Sequence, residues 1–166
     1  STYHTCAVLD NGQAKCWGSG SYGMLGQGST LSLGDGVGEM GDSLLPINLG
    51  TGLTATAISA GGYNSCALLS DSTVKCWGYN AQGQLGQGSM VALGDGAGEM
   101  GDALLAIDIN ETAAGIEVGD GHVCAKGISG AWKCFGSALN YGALGNGNTL
   151  SIGDGAGEIG AALASV

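Results

Sequence analysis

Several residue types are scarce in this chain. Among its 166 residues there is one Pro (Pro46), one Phe (Phe135) and no Arg, and aromatic residues make up 5%. The four basic residues are Lys15, Lys75, Lys126 and Lys133; against 14 Asp and Glu they leave a net charge of -10. A chain this acidic, with no basic stripe, cannot neutralise a run of phosphates, so nucleic-acid binding and adsorption to anionic membrane surfaces are excluded on electrostatic grounds. No apolar run approaches the roughly 18 residues that cross a bilayer, so no membrane insertion is expected. Ser1 to Asp10 lacks the charged and apolar regions of a signal peptide. The chain opens on Ser rather than Met, and the expectation is a removed leader or a piece of a longer polypeptide.

Glycine, by contrast, is abundant, with 35 residues. It follows no three-residue period, which excludes a collagen-like chain. What organises it is a repeat of about 60 residues. Cys6-Ala7-Val8-Leu9 returns as Cys66-Ala67-Leu68-Leu69 and, more loosely, at Cys124-Ala125. Lys15-Cys16-Trp17-Gly18 returns as Lys75-Cys76-Trp77-Gly78 and Lys133-Cys134-Phe135-Gly136. Tyr22 to Gly28, Gln82 to Gly88 and Tyr141 to Gly147 correspond, as do the acidic segments beginning at Gly34, Gly94 and Gly153. The length is that of one repeat domain, 1–166, divided at about 1–60, 61–119 and an incomplete 120–166.

Within each copy, short apolar and β-branched runs are bounded by Gly, Asn, Asp and Ser, the pattern of short strands. Cys6 to Leu9 and Gln13 to Gly18 read as a hairpin joined through Asp10-Asn11-Gly12, with Gly12 at a left-handed position; Gly130 repeats it, whereas Ser72 stands there in the second copy. Further strands are expected at Ala55 to Ala60 and Gly115 to Val118. The predicted fold class is all-β, with three antiparallel blade-like sheets of three or four strands that bury their faces by stacking.

The six Cys form pairs with nine intervening residues: Cys6 with Cys16, Cys66 with Cys76, Cys124 with Cys134. A hairpin centred on Asn11 sets Cys6 opposite Cys16, with Cα atoms about 4.5 Å apart, within disulfide reach. Free buried thiols and metal ligation are the alternatives; structural zinc usually needs closer pairs, and only His4 and His122 are at hand. Disulfides imply an oxidising compartment, hence an extracellular or cell-surface protein.

The run Gly62-Tyr63-Asn64-Ser65-Cys66-Ala67-Leu68-Leu69, followed by Val74-Lys75-Cys76-Trp77-Gly78-Tyr79-Asn80-Ala81-Gln82-Gly83-Gln84-Leu85-Gly86, resembles the repeat of the regulator of chromosome condensation family. The first copy departs with Gly20 for the Asn, the third with Phe135 for the Trp. The resemblance implies β-propeller blades, and the paired Cys look like those of the secreted branch of such repeats. A closed propeller of this family has seven blades, so three blades form an incomplete arc with two uncovered faces. The nuclear archetype exchanges nucleotide on a small GTPase; none of its functional residues matches a position here. Secreted relatives that inhibit β-lactamases through a propeller face make protein binding the precedent.

Asp35, Glu39 and Asp42 recur as Asp95, Glu99 and Asp102, then as Asp154 and Glu158. Two readings stand for them. They either gather calcium in a glycine-rich loop, or accept backbone N–H bonds that hold the loop in shape. No other cofactor is indicated. His4 and His122 lack a neighbouring nucleophile and read as structural. Tyr22 and Tyr141, with Trp17, Trp77 and Phe135, could stack on sugars or fill the blades. Trp132 replaces Ala14 and Val74 of the other copies, a candidate partner contact, and Asn110-Glu111-Thr112 fits a glycosylation acceptor at Asn110. The expectation is a non-catalytic extracellular structural or adhesive protein, self-associating through its blades into a larger assembly or filament. The alternative is a fragment of a secreted propeller that binds a protein partner. Guanine-nucleotide exchange stands third, because it needs a reducing compartment.

Overall fold

The computed structural model describes residues 3–139 and 141–166. It consists of eight short strands in three antiparallel sheets, β1 (His4–Val8) with β2 (Ala14–Gly18), then β3 (Ala55–Gly61), β4 (Asn64–Leu69) and β5 (Val74–Gly78), then β6 (Ala113–Val118), β7 (His122–Gly127) and β8 (Trp132–Gly136). Each sheet is extended by a bridge from the loop that follows it, Gly18 to Leu33, Gly78 to Leu93 and Gly136 to Ile152, and the second sheet also by Val74 to Ile107. Among the described residues no strand pairs with the outer edge of β1, whereas β4 and β7 carry β3 and β6 there. β3 arises at the end of the first sequence copy but hydrogen-bonds to β4, so each complete sheet draws its outermost strand from the preceding repeat.

The hairpins follow from their turn chemistry. Leu9 N–H donates to Gln13 O at 2.8 Å and Gly12 N–H to Leu9 O at 2.8 Å, and the Asn11 side chain accepts from Gln13 N–H at 3.0 Å. Gly12 has φ +78° and Gly130 +89°, in the left-handed region glycine enters without a Cβ clash. Ser72 holds the same position at φ +65°. Ser72→Gly is expected to stabilise the chain by about 1 kcal/mol, since the left-handed conformation costs a side-chain-bearing residue roughly that much; thermal melting checks it, and an unchanged or lower Tm would count against the turn assignment.

That register sets Cys6 opposite Cys16, Cys66 opposite Cys76 and Cys124 opposite Cys134. All three pairs are disulfide-bonded, with Cα atoms 4.1 Å apart, and no cysteine among the described residues is free. The fold is therefore three blades, each with its own bridge. The apolar cores lie between blades. Leu25, Ile47, Leu69 and Trp77 fill the space between the first two sheets, and Leu85, Ile107, Val123 and Phe135 that between the second and third.

Candidate functional site

Because the chemistry of a stacked repeat concentrates where sheets meet, the two junctions are the first place to look. After β2 the chain turns through a 3₁₀ segment (Ser21–Gly23) and lies against the second blade. A Cβ at Gly23, φ +74°, would stand 2.2 Å from Asp95 N, so only glycine lets the two backbones approach this closely. Gly83 repeats the arrangement at the second junction, with Asp154 N at 2.3 Å. The Met24 carbonyl accepts from Trp77 Nε1 at 3.1 Å and from the Ser65 hydroxyl at 2.9 Å. His4 Nε2 lies 2.7 Å from the same hydroxyl, and since that hydroxyl donates to Met24, His4 is the donor to it. At the second junction Val123 and Phe135 replace Ser65 and Trp77, and the polar links give way to apolar packing.

Burial holds the His4 imidazole in its neutral form and lowers its pKa to about 4. The folded state thus binds fewer protons than the unfolded chain between about 6.5, the ordinary value, and about 4. Stability is whole above that window and falls as pH falls through it. Replacing His4 by Asn, the residue the second blade uses at the equivalent Asn64, should flatten the dependence of Tm on pH there; an equally steep profile would mean another group is responsible. The register also shows that His122 occupies the same blade position as His4. His122 Nδ1 is the one buried side-chain nitrogen or oxygen among the described residues without a hydrogen-bond partner.

Among the described residues no further blade lies against the outer face of the first or the third sheet. Trp77 is sealed, whereas Trp17, its equivalent, is half-buried, and Thr5, the equivalent of buried Ser65, is exposed. On the opposite face Tyr141 is 92% exposed and Leu139 is exposed. Beside them a Cβ at Gly142 would have only Asn148 O nearby, at 3.5 Å, among the described residues.

The acidic segments fold back on themselves. Glu39 Oε2 accepts from Gly34 N–H at 2.8 Å and Gly36 N–H at 2.7 Å. Glu99 does the same with Gly94 and Gly96, and Glu158 with Gly153 and Gly155. These backbone bonds hold the Glu39 and Glu158 carboxyls below the ordinary range. Burial, followed by the Glu99 charge, raises Asp95. Asp35 and Asp154 each lie against the glutamate of their own loop. Asp102 is drawn away to Thr51 of the preceding blade, accepting from its N–H at 2.8 Å and its hydroxyl at 2.7 Å. Asp42 is exposed, and the third copy has Ala161 there. Among the described residues no three His, Cys, Asp or Glu side chains converge to hold a metal ion.

The lysines were missed as a structural signal. Lys75, 6% exposed, donates to the carbonyls of Leu49 at 3.0 Å and Gly101 at 2.8 Å, and Lys133 to Ile109 O at 2.7 Å. Lys15 donates to Gly41 O at 2.9 Å. Their recurrence one residue before the second Cys of each pair was the available clue. Asn110 is exposed, as a glycosylation acceptor must be. Trp132 is half-buried, with Lys126 Nζ 5.8 Å from its ring centre. Tyr22 joins three other tyrosines at the first junction, while Tyr141 has no ring contact among the described residues. No described helix is long and apolar enough to cross a membrane.

Against known proteins, the regulator of chromosome condensation (RCC1) repeat profile matches residues 1–23 and 55–84. The chain is 34% identical over 88 residues to the mitochondrial RCC1 domain-containing protein RUG3 of Arabidopsis thaliana, covering 53% of this chain and 18% of that one. It is 37% identical over 87 residues to the probable E3 ubiquitin-protein ligase HERC6 of Homo sapiens, covering 51% and 8%. Its fold superposes on human WBSCR16 with a TM-score of 0.66 at 14% identity, over 99% of this chain and 37% of that one. It also superposes on yeast RCC1 (Prp20) bound to Kap60, with a TM-score of 0.65 at 15% identity, over 92% and 34%. A second structure of Prp20p, from Saccharomyces cerevisiae, whose binding to Gsp1p and histones is described with it, gives 0.64 at 16% identity over 92% and 35%. The chain thus spans little more than a third of the length of these structures. With three disulfide-bridged antiparallel blades and the repeat matched over residues 1–23 and 55–84, the chain carries RCC1-type repeats and has the fold of part of an RCC1-type β-propeller.

Proposed function

We propose that this protein works without catalysis, by burying blade surface against other protein, in an extracellular or cell-surface setting. The observation that carries the reading is the contrast between sealed and open equivalents. Trp77 and Ser65 are buried by the first blade, while at the same positions Trp17 is only half-buried and Thr5 is exposed, with no further blade against them among the described residues. The face presenting Gly142 and Tyr141 is built like the face that receives Trp77. Unlike ends of this kind join head to tail, giving a ring if the rotation closes and a filament if it does not. In this reading the occupant of each open face is a blade of another copy, and the protein is structural or adhesive. The three bridges support the oxidising setting. The polar junction side chains support the non-catalytic part, because they are spent on backbone carbonyls.

A second reading is favoured by the share of the similar structures that the chain covers, 37% or less. Here the next blades belong to the same longer polypeptide, and the complete propeller binds a protein partner, as the yeast relative does with Kap60. Light scattering on the purified, oxidised chain separates the two. Mass that grows with concentration supports assembly through the blade faces, and a constant monomer mass overturns it in favour of the second reading.

A further inference from the structure

Four of the five tyrosines gather at one end of the first junction, and the fold does not require them there. Tyr3 precedes β1, Tyr63 lies between β3 and β4, Tyr79 follows β5, and Tyr22 sits in the 3₁₀ turn after β2. Tyr3 and Tyr63 stack with ring centres 4.8 Å apart at 12°, and Tyr22 meets Tyr63 at 5.5 Å and 82° and Tyr79 at 4.9 Å and 64°. The second junction closes with Gln82, Gly121 and Ser137 in the places of Tyr22, Tyr63 and Tyr79, so packing the blades does not call for the rings. Nor are they hidden, since Tyr3 is 47% and Tyr22 46% exposed.

Tyr22 has φ +57° and ψ +18°, a left-handed conformation that costs a residue with a side chain about 1–2 kcal/mol. Its equivalent at the second junction, Gln82, is not among the described residues with positive φ. Among the described residues Ser72, Asn110 and Leu139 share this region, but Tyr22 alone of the four carries a ring that meets other rings, and such strain persists where the surroundings over-determine it, commonly at binding sites.

The surroundings are anionic. All four lysines are engaged: Lys15, Lys75 and Lys133 on backbone carbonyls, and Lys126 over the Trp132 ring. Carboxylates outnumber the lysines 14 to 4, and exposed Asp120 is close enough to Tyr63 to act on its phenol. An aromatic ring presents a negative face, attractive to a guanidinium or ammonium group within about 6 Å. A carboxylate beside the rings adds to that attraction and does nothing for a neutral sugar ring.

We infer that the Tyr3–Tyr22–Tyr63–Tyr79 cluster, with Asp120 at its rim, is a binding site for an arginine-bearing segment of a protein partner. The inference rests on the protein-binding reading but uses a surface separate from the open blade faces, so a chain that light scattering finds monomeric still tests it.

The probe is a synthetic peptide alternating Arg and Ser, compared with the same peptide carrying citrulline, which keeps the shape and loses the charge. Binding is read by calorimetry and by the NMR signals of the tyrosine rings at physiological ionic strength. The Arg peptide is expected to shift the ring signals saturably and to bind about tenfold more tightly than the citrulline peptide, the size of a partly desolvated cation–π contact. Tyr22→Gly removes the ring while suiting the left-handed backbone, so the fold is retained, and it should weaken Arg-peptide binding about fivefold. Asp120→Asn should weaken it less. The proposal is overturned by equal affinity of wild type and Tyr22→Gly, which would mark diffuse surface charge. It is equally overturned by ring signals that move with a neutral glucose oligomer and not with the Arg peptide, or by no binding of the Arg peptide.

Discussion

Full reduction of the three bridges is expected to lower the melting temperature by about 20 °C, enough to unfold the chain at moderate temperature. Each bridge closes a short hairpin, and the chain-entropy model gives about 2.8 kcal/mol for a loop of that size, so the three sum to about 8 kcal/mol. Domains of this length have net stabilities of only about 5–15 kcal/mol, and one kcal/mol moves Tm by roughly 2–4 °C. Large aromatic side chains, which could otherwise deepen the cores, are few, with Trp77 and Phe135 the only two rings fully buried among the described residues. The bridges should not open together. Cys66 and Cys76 are both fully buried, while Cys6 and Cys124 are partly exposed, and thiol exchange follows access. Mild reduction with alkylation and mass analysis should therefore label the outer pairs first and Cys66–Cys76 last. A reduced chain that melts within a few degrees of the oxidised one would show that the blades stand on packing alone.

The second large effect is expected at the junction glycines, and it differs between equivalent positions. Gly23→Ala places a Cβ 2.2 Å from Asp95 N, and Gly83→Ala one 2.3 Å from Asp154 N. In each case the obstacle is backbone of the next blade, so the sheets themselves must separate. To the left-handed penalty of about 1–2 kcal/mol is added the lost packing of a blade interface, for a total of about 3 kcal/mol or more and a Tm lowered by roughly 10 °C. Among the described residues Gly142→Ala meets only Asn148 O, at 3.5 Å, so the left-handed cost at φ +72° is the main one expected. If copies of the chain cover this face, Gly142→Ala folds but no longer assembles. Melting curves and light scattering on the three variants read both parts. Equal melting of Gly23→Ala and Gly142→Ala would deny that Gly23 is held by the neighbouring blade, and undiminished assembly of Gly142→Ala would remove this face from the assembly.

Much of this molecule is legible from local chemistry. Side chains alternate along a strand with period two, and the turn through Asp10, Asn11 and Gly12 admits one register; these together oppose Cys6 and Cys16 and, by repetition, the other two pairs. The strands expected at Ala55 to Ala60 and Gly115 to Val118 are β3 and part of β6. Which sheet each joins was not legible, because pairing is decided by the neighbour a strand meets after the chain has turned, and β3 meets β4 rather than β2.

The same distinction runs through the candidate sites. The carboxylate at Glu39, Glu99 and Glu158 recurs with its glycines, so a loop held by backbone N–H bonds could be read from spacing within one copy. That Asp102 turns to Thr51 could not, since the two lie in different copies. Lys75 reaching Leu49 and Gly101, His4 reaching Ser65, and four tyrosines meeting at one junction all depend on which loops stacking brings together. The amino-acid order alone determined the hairpins, their sulfur bridges and the acidic character of the surface, because these follow from turn geometry, side-chain period and charge within a few residues. Only the tertiary structure decided which faces are sealed, which are open and where the rings converge, because those depend on contacts between residues some sixty positions apart, which stacking creates and no local preference encodes.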